Sequence, residues 1–309
     1  MKRILSISAI LLLCCLSALS VRGQVSVGST EVLGSLRMDR NPVLLSMAGA
    51  GSTVTEVNQA FAAFGNPAAA ALAPTRVEAG VSYASWMPQY LSGKSLAAGV
   101  TAHPVESFAL SLGASRLSYP SIELDGASFD PSDLQLGVGA GLAVSRELSL
   151  GVAVNYVKQA LLEDYSLSGL SVSAMAQYCL GAGNVAVGLA HLGGKVGSED
   201  GSDFPLPTSV KLAGDYSFAF GKDFSLQCAV DGDYYFSGNY SVAAGLNLGL
   251  AGIGFLRGGY RFASKQAVLP SCLGLGAGVR FAGVTLDLAY LTASETLSGT
   301  WMVGIGYRF

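Results

Sequence analysis

Histidine, the residue on which most zinc sites and nucleophilic hydrolases depend, occurs twice in the chain, at His103 and His191. A zinc centre needs Cys, His or carboxylate ligands at set spacings, and neither histidine has such neighbours. A lipase would need a serine within reach of a histidine, and His191 keeps that alternative open. No other catalytic constellation is present, so we predict that the protein is not an enzyme and binds no metal.

Glycine residues in two parts of the sequence partly match nucleotide-binding motifs. Gly93-Lys94-Ser95 matches the end of a phosphate-binding loop, but Pro88 stands where that motif needs its first glycine. The glycine triplets at 137–141 and 274–278 resemble part of a dinucleotide fingerprint, yet both lie inside alternating segments instead of before a helix. We therefore predict no cofactor and interpret the triplets as one face of a strand.

Acidic residues concentrate between the alternating segments. Clustered carboxylates could hold calcium, but no cluster has the regular ligand spacing of a calcium loop. We interpret them as a solvated, anionic rim. They are Glu123, Asp125, Asp130, Glu163, Asp164, Glu199, Asp200, Asp203 and Glu295.

The composition narrows the class of protein that carries these residues. Of the 309 residues, 13% are charged and 50% are hydrophobic, with 40 glycines and a mean hydropathy of +0.46. A typical soluble domain carries about 25% charged residues. These values argue against a disordered chain, a nucleic-acid-binding protein and an ordinary cytosolic enzyme.

The N-terminus has the layout of a secretory signal peptide. Lys2-Arg3 precedes an apolar run over 4–19, and Gly23 is a small residue at the expected cleavage site. A lipoprotein is an alternative, but the two cysteines in the run do not follow the small residue that lipoprotein processing requires. We predict that residues 1–23 are the signal peptide.

Most of the remaining chain alternates with a period of two, which is typical of strands whose faces meet different environments. At the C-terminus one face holds Trp301, Val303, Ile305, Tyr307 and Phe309, and the other Met302, Gly304, Gly306 and Arg308. A helical membrane protein is the alternative, because 165–194 and 237–256 lack Asp, Glu, Lys and Arg. A helix would scatter their alternating polar residues around its circumference, so we favour strands.

About fourteen such segments follow one another, and most are long enough to cross an outer membrane, which takes about 9–11 tilted residues. They lie near 76–87, 94–103, 106–118, 132–145, 147–158, 169–180, 184–192, 208–218, 223–235, 239–249, 253–262, 271–281, 283–292 and 299–309. Short turns alternate with longer loops, which we expect at 88–93, 119–131, 159–168, 193–207, 263–270 and 293–298.

The second face of these segments carries Gly, Ala and Ser, which suits a barrel lumen better than the charged surface of a soluble sandwich. We therefore predict an all-β fold, a closed antiparallel transmembrane β-barrel of about 14 strands over 76–309. Short turns on one rim and long loops on the other are typical of barrels in the bacterial outer membrane, where we expect this protein.

Residues 24–75 do not alternate. Asn66 followed by Pro67 predicts the start of a short helix, with Asn66 as the N-cap. A fourteen-strand lumen is wide enough to need filling. We predict that 24–75 form a plug or inner lining at the periplasmic end.

Two sets of aromatic residues are candidates for contacts. Trp86, Met87, Pro88 and Tyr90 lie at the first long loop, where they suit an aromatic belt or a rim that binds partner proteins. Tyr307 and Phe309 end the last apolar face. A terminal aromatic there resembles the assembly signal of outer-membrane barrels, although an ordinary edge strand that ends at Phe is the alternative.

Several short motifs resemble the PorV/PorQ family of FadL-like outer-membrane proteins. Asn66-Pro67-Ala68, preceded by MAGAG at 47–51, is similar to the FadL-like N-terminal region. Residues 82–88 (SYASWMP) resemble the family's Tyr-x-x-Trp-x-Pro element, 193–208 its mid-barrel loop, and 295–309 its last strand. The resemblance implies a fourteen-stranded FadL-like barrel associated with type IX secretion.

The resemblance also implies a function. It predicts a non-catalytic secretion accessory that binds secretion-system proteins or secreted cargo at its rim and loops. The alternative is a FadL-like passive transporter of hydrophobic small molecules, which the apolar N-terminal segment and the small-residue lumen favour. Outer-membrane lipid is the other expected partner, and nucleic acid is not expected.

Overall fold

A computed structural model describes residues 33–57, 59–124, 127–162, 165–197, 203–221 and 223–309. The predicted signal peptide and residues 24–32 lie outside the described residues. Within the described ranges, no helix is long and apolar enough to cross a membrane.

Fourteen strands pair antiparallel in a closed barrel, in which the last strand pairs with the first. They are β1 Val77–Trp86, β2 Gly93–Val105, β3 Phe108–Ser118, β6 Ser132–Ala143, β7 Leu148–Leu162, β8 Tyr165–Cys179, β9 Gly183–Leu192, β12 Ser209–Phe220, β13 Phe224–Tyr235, β14 Tyr240–Leu250, β15 Gly254–Ala263, β16 Cys272–Phe281, β17 Val284–Thr292 and β18 Trp301–Arg308. Two hairpins in the loops pair β4 Ile122–Leu124 with β5 Ala127–Phe129, and β10 Val196–Gly197 with β11 Asp203–Phe204. The predicted fold is confirmed.

The two faces of the strands divide as the period of two predicts. In β6, Leu134, Leu136 and Val138 are exposed on the outside, whereas Gln135 and Gly137 are buried inside. An apolar exterior around a small, polar interior suits a barrel whose outer face meets lipid. Closure pairs β18 with β1, so the sheet has no free end strand.

The two rims of the barrel differ. Turns of two to four residues, such as 106–107 and 282–283, form the short-turn rim, and loops such as 119–131 and 193–208 form the opposite, long-loop rim. In bacterial outer-membrane barrels, the short turns face the periplasm.

The long loop predicted at 159–168 is wrong. β7 continues to Leu162 and β8 begins at Tyr165, so two residues separate the strands. The sequence stops alternating there, although the two strands stay paired to the end of the hairpin. Hydrogen bonds between β7 and β8 extend both strands, and the alternation of residue types does not indicate such pairing.

Residues 33–75, here called the plug, lie inside the barrel and are mostly buried. The plug contains a 3₁₀ helix at Gly34–Arg37, α1 at Pro42–Ser46, a 3₁₀ helix at Gln59–Phe64 and α2 at Pro67–Ala71. The start of α2 is the one the sequence predicts: Asn66 Oδ1 accepts hydrogen bonds from Ala68 N at 3.1 Å and Ala69 N at 3.3 Å.

The plug contacts the wall where the wall has glycine. A Cβ at Gly259 would lie 2.5 Å from the carbonyl carbon of Met47, and a Cβ at Gly151 would lie 2.7 Å from that of Pro67. Side chains do not fit at such distances, so glycine allows the plug backbone to lie directly against these strands. In the glycine triplet at 274–278, Gly274 and Gly276 likewise lie against the plug, whereas Gly278 faces side chains of the wall.

Gly259→Ala is expected to lower the free energy of unfolding by about 1–3 kcal/mol, because the added methyl group overlaps the Met47 carbonyl. The matched control is Gly258→Ala, where the nearest atom to the new Cβ is 3.7 Å away. Urea unfolding midpoints in one detergent measure both variants. Equal midpoints would contradict a tight contact between plug and wall.

Candidate functional site

Charged side chains cross the lumen between the plug and the wall. Arg37 of the plug lies 3.2 Å from Asp233, measured from Nη2 to Oδ1. Lys211 Nζ lies 3.0 Å from Asp231 Oδ2 and 3.4 Å from Asp233 Oδ2. Asp231 also accepts a hydrogen bond at 2.7 Å from the backbone N–H of Gly51 in the plug.

A second pair completes this arrangement, because Asp39 of the plug lies 3.4 Å from Arg261 of β15. Burial raises the pKa of Asp39, and the nearby Arg261 opposes that rise. Three positive and three negative groups therefore balance in what we call the charged layer: Arg37, Asp39, Lys211, Asp231, Asp233 and Arg261.

Arg40 ties the plug to the opposite side of the wall. Its Nε donates to Ser115 Oγ at 2.8 Å and its Nη2 donates to Gln135 Oε1 at 3.1 Å. Burial lowers the pKa of Arg40 to about 10, so the guanidinium stays charged at neutral pH. The plug is thus held by charge-assisted hydrogen bonds on several strands.

A cavity of about 110 Å³ lies at the charged layer, lined by Arg37, Asp39, Lys211 and Asp233 among others. An apolar cavity of about 150 Å³ accommodates benzene. This cavity is smaller and its walls are charged, so it suits water better than an apolar molecule. The plug therefore places polar and charged groups across the axial path through the barrel.

The barrel wall is interrupted beside this layer. β8 pairs with β9 from Val172 towards the short-turn rim, and the register shifts at a bulge that contains His191, a residue with φ of 55°. Beyond Val172, residues 165–171 of β8 have ladder partners on β7 alone among the described residues. The β8 edge at this level borders the loop 193–208.

Side-chain hydrogen bonds close the interruption. The hydroxyl of Thr208 donates to the carbonyl of His191 at 2.8 Å, and the N–H of His191 donates to Ser173 Oγ at 3.1 Å. His191 Nδ1 lies 3.3 Å from Ser171 Oγ. Both members of this serine–histidine pair are buried in the wall, so the pair is not placed to present a nucleophile to a substrate.

Six apolar side chains pack just inside the interruption. They come from the plug, β7, β8 and the loop 193–208, and all are buried. This wall cluster consists of Leu33, Leu36, Val157, Leu167, Val196 and Leu206. Its neighbour along the plug is Arg37, so apolar and charged surfaces meet within two consecutive residues, Leu36 and Arg37.

A larger apolar cluster, here called the outer cluster, lies on the long-loop side of the lumen. It includes Trp86, one of the predicted contact residues, together with Leu117, Leu291 and Leu297. Trp86 is only 4% exposed, so its ring packs in the lumen and not on the rim. Trp86 lies on the inward face of β1, and its contact with a partner protein stays a prediction.

The other predicted contact residues lie at the rim. Met87 packs on the outer cluster, Pro88 is partly buried, and Tyr90 is 61% exposed. Tyr307 and Phe309 are exposed on the outer face, with ring centroids 4.4 Å apart. Their role in assembly stays a prediction.

Sequence reasoning missed the charged layer. Asp231 and Asp233 occupy alternate positions of one strand, which places two carboxylates on the lumen face, and that spacing is the available signal. Arg37, the partner of Asp233, and Asp39, the partner of Arg261, come from the non-alternating plug, for which the pattern gives no position.

No protein-family model and no curated protein matches the sequence. Solved structures match most of it. The toluene transporter TodX of Pseudomonas putida aligns with a TM-score of 0.60 at 13% identity, covering 93% of this chain and 98% of that one. The toluene transporter TbuX of Ralstonia pickettii aligns with a TM-score of 0.57 at 12% identity, covering 87% and 98%. A FadL homologue of Pseudomonas aeruginosa aligns with a TM-score of 0.54 at 13% identity, covering 87% of this chain and 95% of that one.

At these identities the likeness shows the fold, which is the FadL-like barrel. The neighbours are outer-membrane transporters or FadL proteins and not enzymes, which agrees with the predicted location and with a non-enzymatic barrel. Their names describe toluene transport and not secretion, so they do not support a link to type IX secretion.

Asp233→Asn is expected to lower the free energy of unfolding by about 3–5 kcal/mol, because Arg37 and Lys211 then lose a buried carboxylate. Limited proteolysis in detergent should cut the plug faster. The control Glu106→Gln removes an exposed carboxylate from a short turn and should leave both measurements unchanged. Resistance equal to that of the unmodified protein would mean that the charged layer does not hold the plug.

Proposed function

We propose that the protein is a passive transporter of small hydrophobic molecules, and that these leave the lumen sideways through the interruption between β8 and the loop 193–208. The observation that carries the proposal is the buried wall cluster directly inside this interruption. The solved neighbours that are named as toluene transporters support the same substrate class.

The charged layer favours a lateral path over an axial one. A hydrophobic molecule that moved along the axis would have to separate buried ion pairs such as Arg37–Asp233, and no hydrogen bond from the molecule would replace them. Leaving a buried charge without its partner costs several kcal/mol. A lateral path avoids that cost because it passes Leu36, Leu167 and Leu206 into the bilayer.

The seal at the interruption is suited to opening. The loop 193–208 is held there by apolar contacts and by side-chain hydrogen bonds such as that from Thr208 to His191, and not by a β-ladder. Opening therefore breaks few hydrogen bonds, and the rest of the barrel keeps its pairing.

A reversible lock tests the path. A Cβ at Gly169 of β8 would lie 2.9 Å from a methyl carbon of Val196, so Gly169→Cys with Val196→Cys should form a disulfide across the seal. Bacteria that express the oxidised double variant should take up radiolabelled toluene no faster than cells without the protein. Dithiothreitol should restore uptake. Uptake that continues while the disulfide is fully formed would refute the lateral path.

A polar substitution tests the chemistry of the same path. Leu206→Gln keeps a similar side-chain size but places an amide in the wall cluster, so the toluene uptake rate should fall about tenfold if its transfer through the seal becomes about 1.4 kcal/mol harder. Leu180→Gln, at an exposed position of the short-turn rim, is the control and should transport normally.

The secretion-accessory role stays a prediction, and fewer of the predicted contact residues are exposed than the sequence suggested. Trp86 and Leu206, which belong to its sequence elements, are buried in the protein's own packing. The predicted contact residue Tyr90 and its neighbour Leu91 expose apolar surface on the long-loop rim. If the rim binds secretion components, they should co-purify from native membranes with the unmodified protein and be lost with Tyr90→Ser. If no secretion component co-purifies with either the unmodified protein or the variant, Tyr90 and Leu91 do not bind a secretion partner.

A further inference from the structure

A second cavity, of about 90 Å³, lies under the plug at the short-turn rim. Three arginines line it: Arg257 of β15, Arg280 of β16 and Arg308 of β18. A space of this size admits several waters or one small oxyanion. Guanidinium groups are the side chains best matched to carboxylate and phosphate oxygens.

The three guanidinium groups are not equally compensated. Arg257 Nη1 lies 2.6 Å from Asp287 Oδ1, and Arg308 Nε lies 2.9 Å from Glu78 Oε1. Arg280 has no ion-pair partner in the described part of the chain, and its Nη2 donates to the backbone carbonyl of Glu56 at 3.2 Å. Arg280 therefore has no carboxylate within ion-pair distance among the described residues, and the other acidic residue of the lining, Glu56, is exposed.

Apart from Nε of Arg308, which lies beside Glu78, two groups at the same cavity have a hydrogen-bond donor without an acceptor among the described residues. The hydroxyl of Thr285 belongs to a side chain that is 5% exposed, and it has no hydrogen-bond partner. Nε of Arg280 also has none. A buried donor without an acceptor is unfavourable, so both groups can gain from an acceptor placed in the cavity.

The arginines are held in place without using all their donors. The ring of Phe255 lies 5.2 Å from Cζ of Arg257 and 5.0 Å from Cζ of Arg280, measured to the ring centroid. Stacking on an aromatic ring orients a guanidinium group and leaves its N–H edge free. Gly278 provides the space for Arg257 and Asp287, because a Cβ there would lie 2.8 Å from Arg257 Nη1.

We infer that this cavity is a binding site for a small phosphate-like oxyanion that enters from the periplasmic side. Arg280 supplies the uncompensated charge, Thr285 supplies a hydroxyl donor, and the carboxylates of Asp287 and Glu78 are already occupied by their own arginines. The oxyanion can be free phosphate or the phosphate of a lipid headgroup. The inference does not depend on the proposed transport function.

Calorimetric titration of the detergent-solubilised protein with inorganic phosphate tests the site. Saturable binding is expected, and Arg280→Gln should weaken it by about tenfold or more, the effect of losing a charge-assisted hydrogen bond. Thr285→Val keeps the side-chain shape and removes an unused hydroxyl, so the variant should fold normally and bind phosphate more weakly. The control Arg146→Gln removes an arginine from another short turn, away from the cavity, and should bind as the unmodified protein does.

A parallel titration with micelles that contain phosphatidic acid separates the two sources of phosphate. Binding of inorganic phosphate that depends on Arg280 identifies a site for the free anion. Arg280-dependent binding of phosphatidic acid alone identifies a lipid headgroup site. Heat released by neither probe, or binding that Arg280→Gln and Thr285→Val both leave unchanged, would overturn the inference.

Discussion

The structure depends on backbone contact between the plug and a barrel wall that has glycine on its inner face. A lumen enclosed by fourteen strands is too wide for wall side chains to fill, so a separate segment occupies it. Short helices fit only if the wall leaves room for their backbone, and positions such as Gly151 and Gly259 do so. The high glycine content is thus a packing requirement of the interior.

Once the plug is in contact, its charged groups decide what the lumen can do. Arg37, Asp39 and Arg40 are removed from water and are compensated by wall residues, so the middle of the barrel is polar, closed and costly to open. Apolar surface is left on the long-loop side, in the outer cluster and the wall cluster. The proposal of a path at the wall rests on this division between a polar middle and apolar clusters.

The interruption between β8 and the loop 193–208 and the arginine-lined cavity are features of different ends of the same barrel. The first is a place where a β-ladder is replaced by side-chain hydrogen bonds, and the second is a place where hydrogen-bond donors lack acceptors. Both depart from the complete hydrogen bonding that a membrane barrel needs elsewhere. At such places, a loop can move or a ligand can bind with the loss of few hydrogen bonds.

The sequence by itself determined the strands, the inward and outward faces and the cap of α2, because alternation and capping are local properties of consecutive residues. It did not determine the length of the β7–β8 hairpin, the packing of Trp86 against Leu117 and Leu297, or the partners of Arg37 and Asp39. Those depend on which strands lie side by side and on how the plug threads between them. Contacts between residues far apart in the chain follow from tertiary packing, and no local period records them.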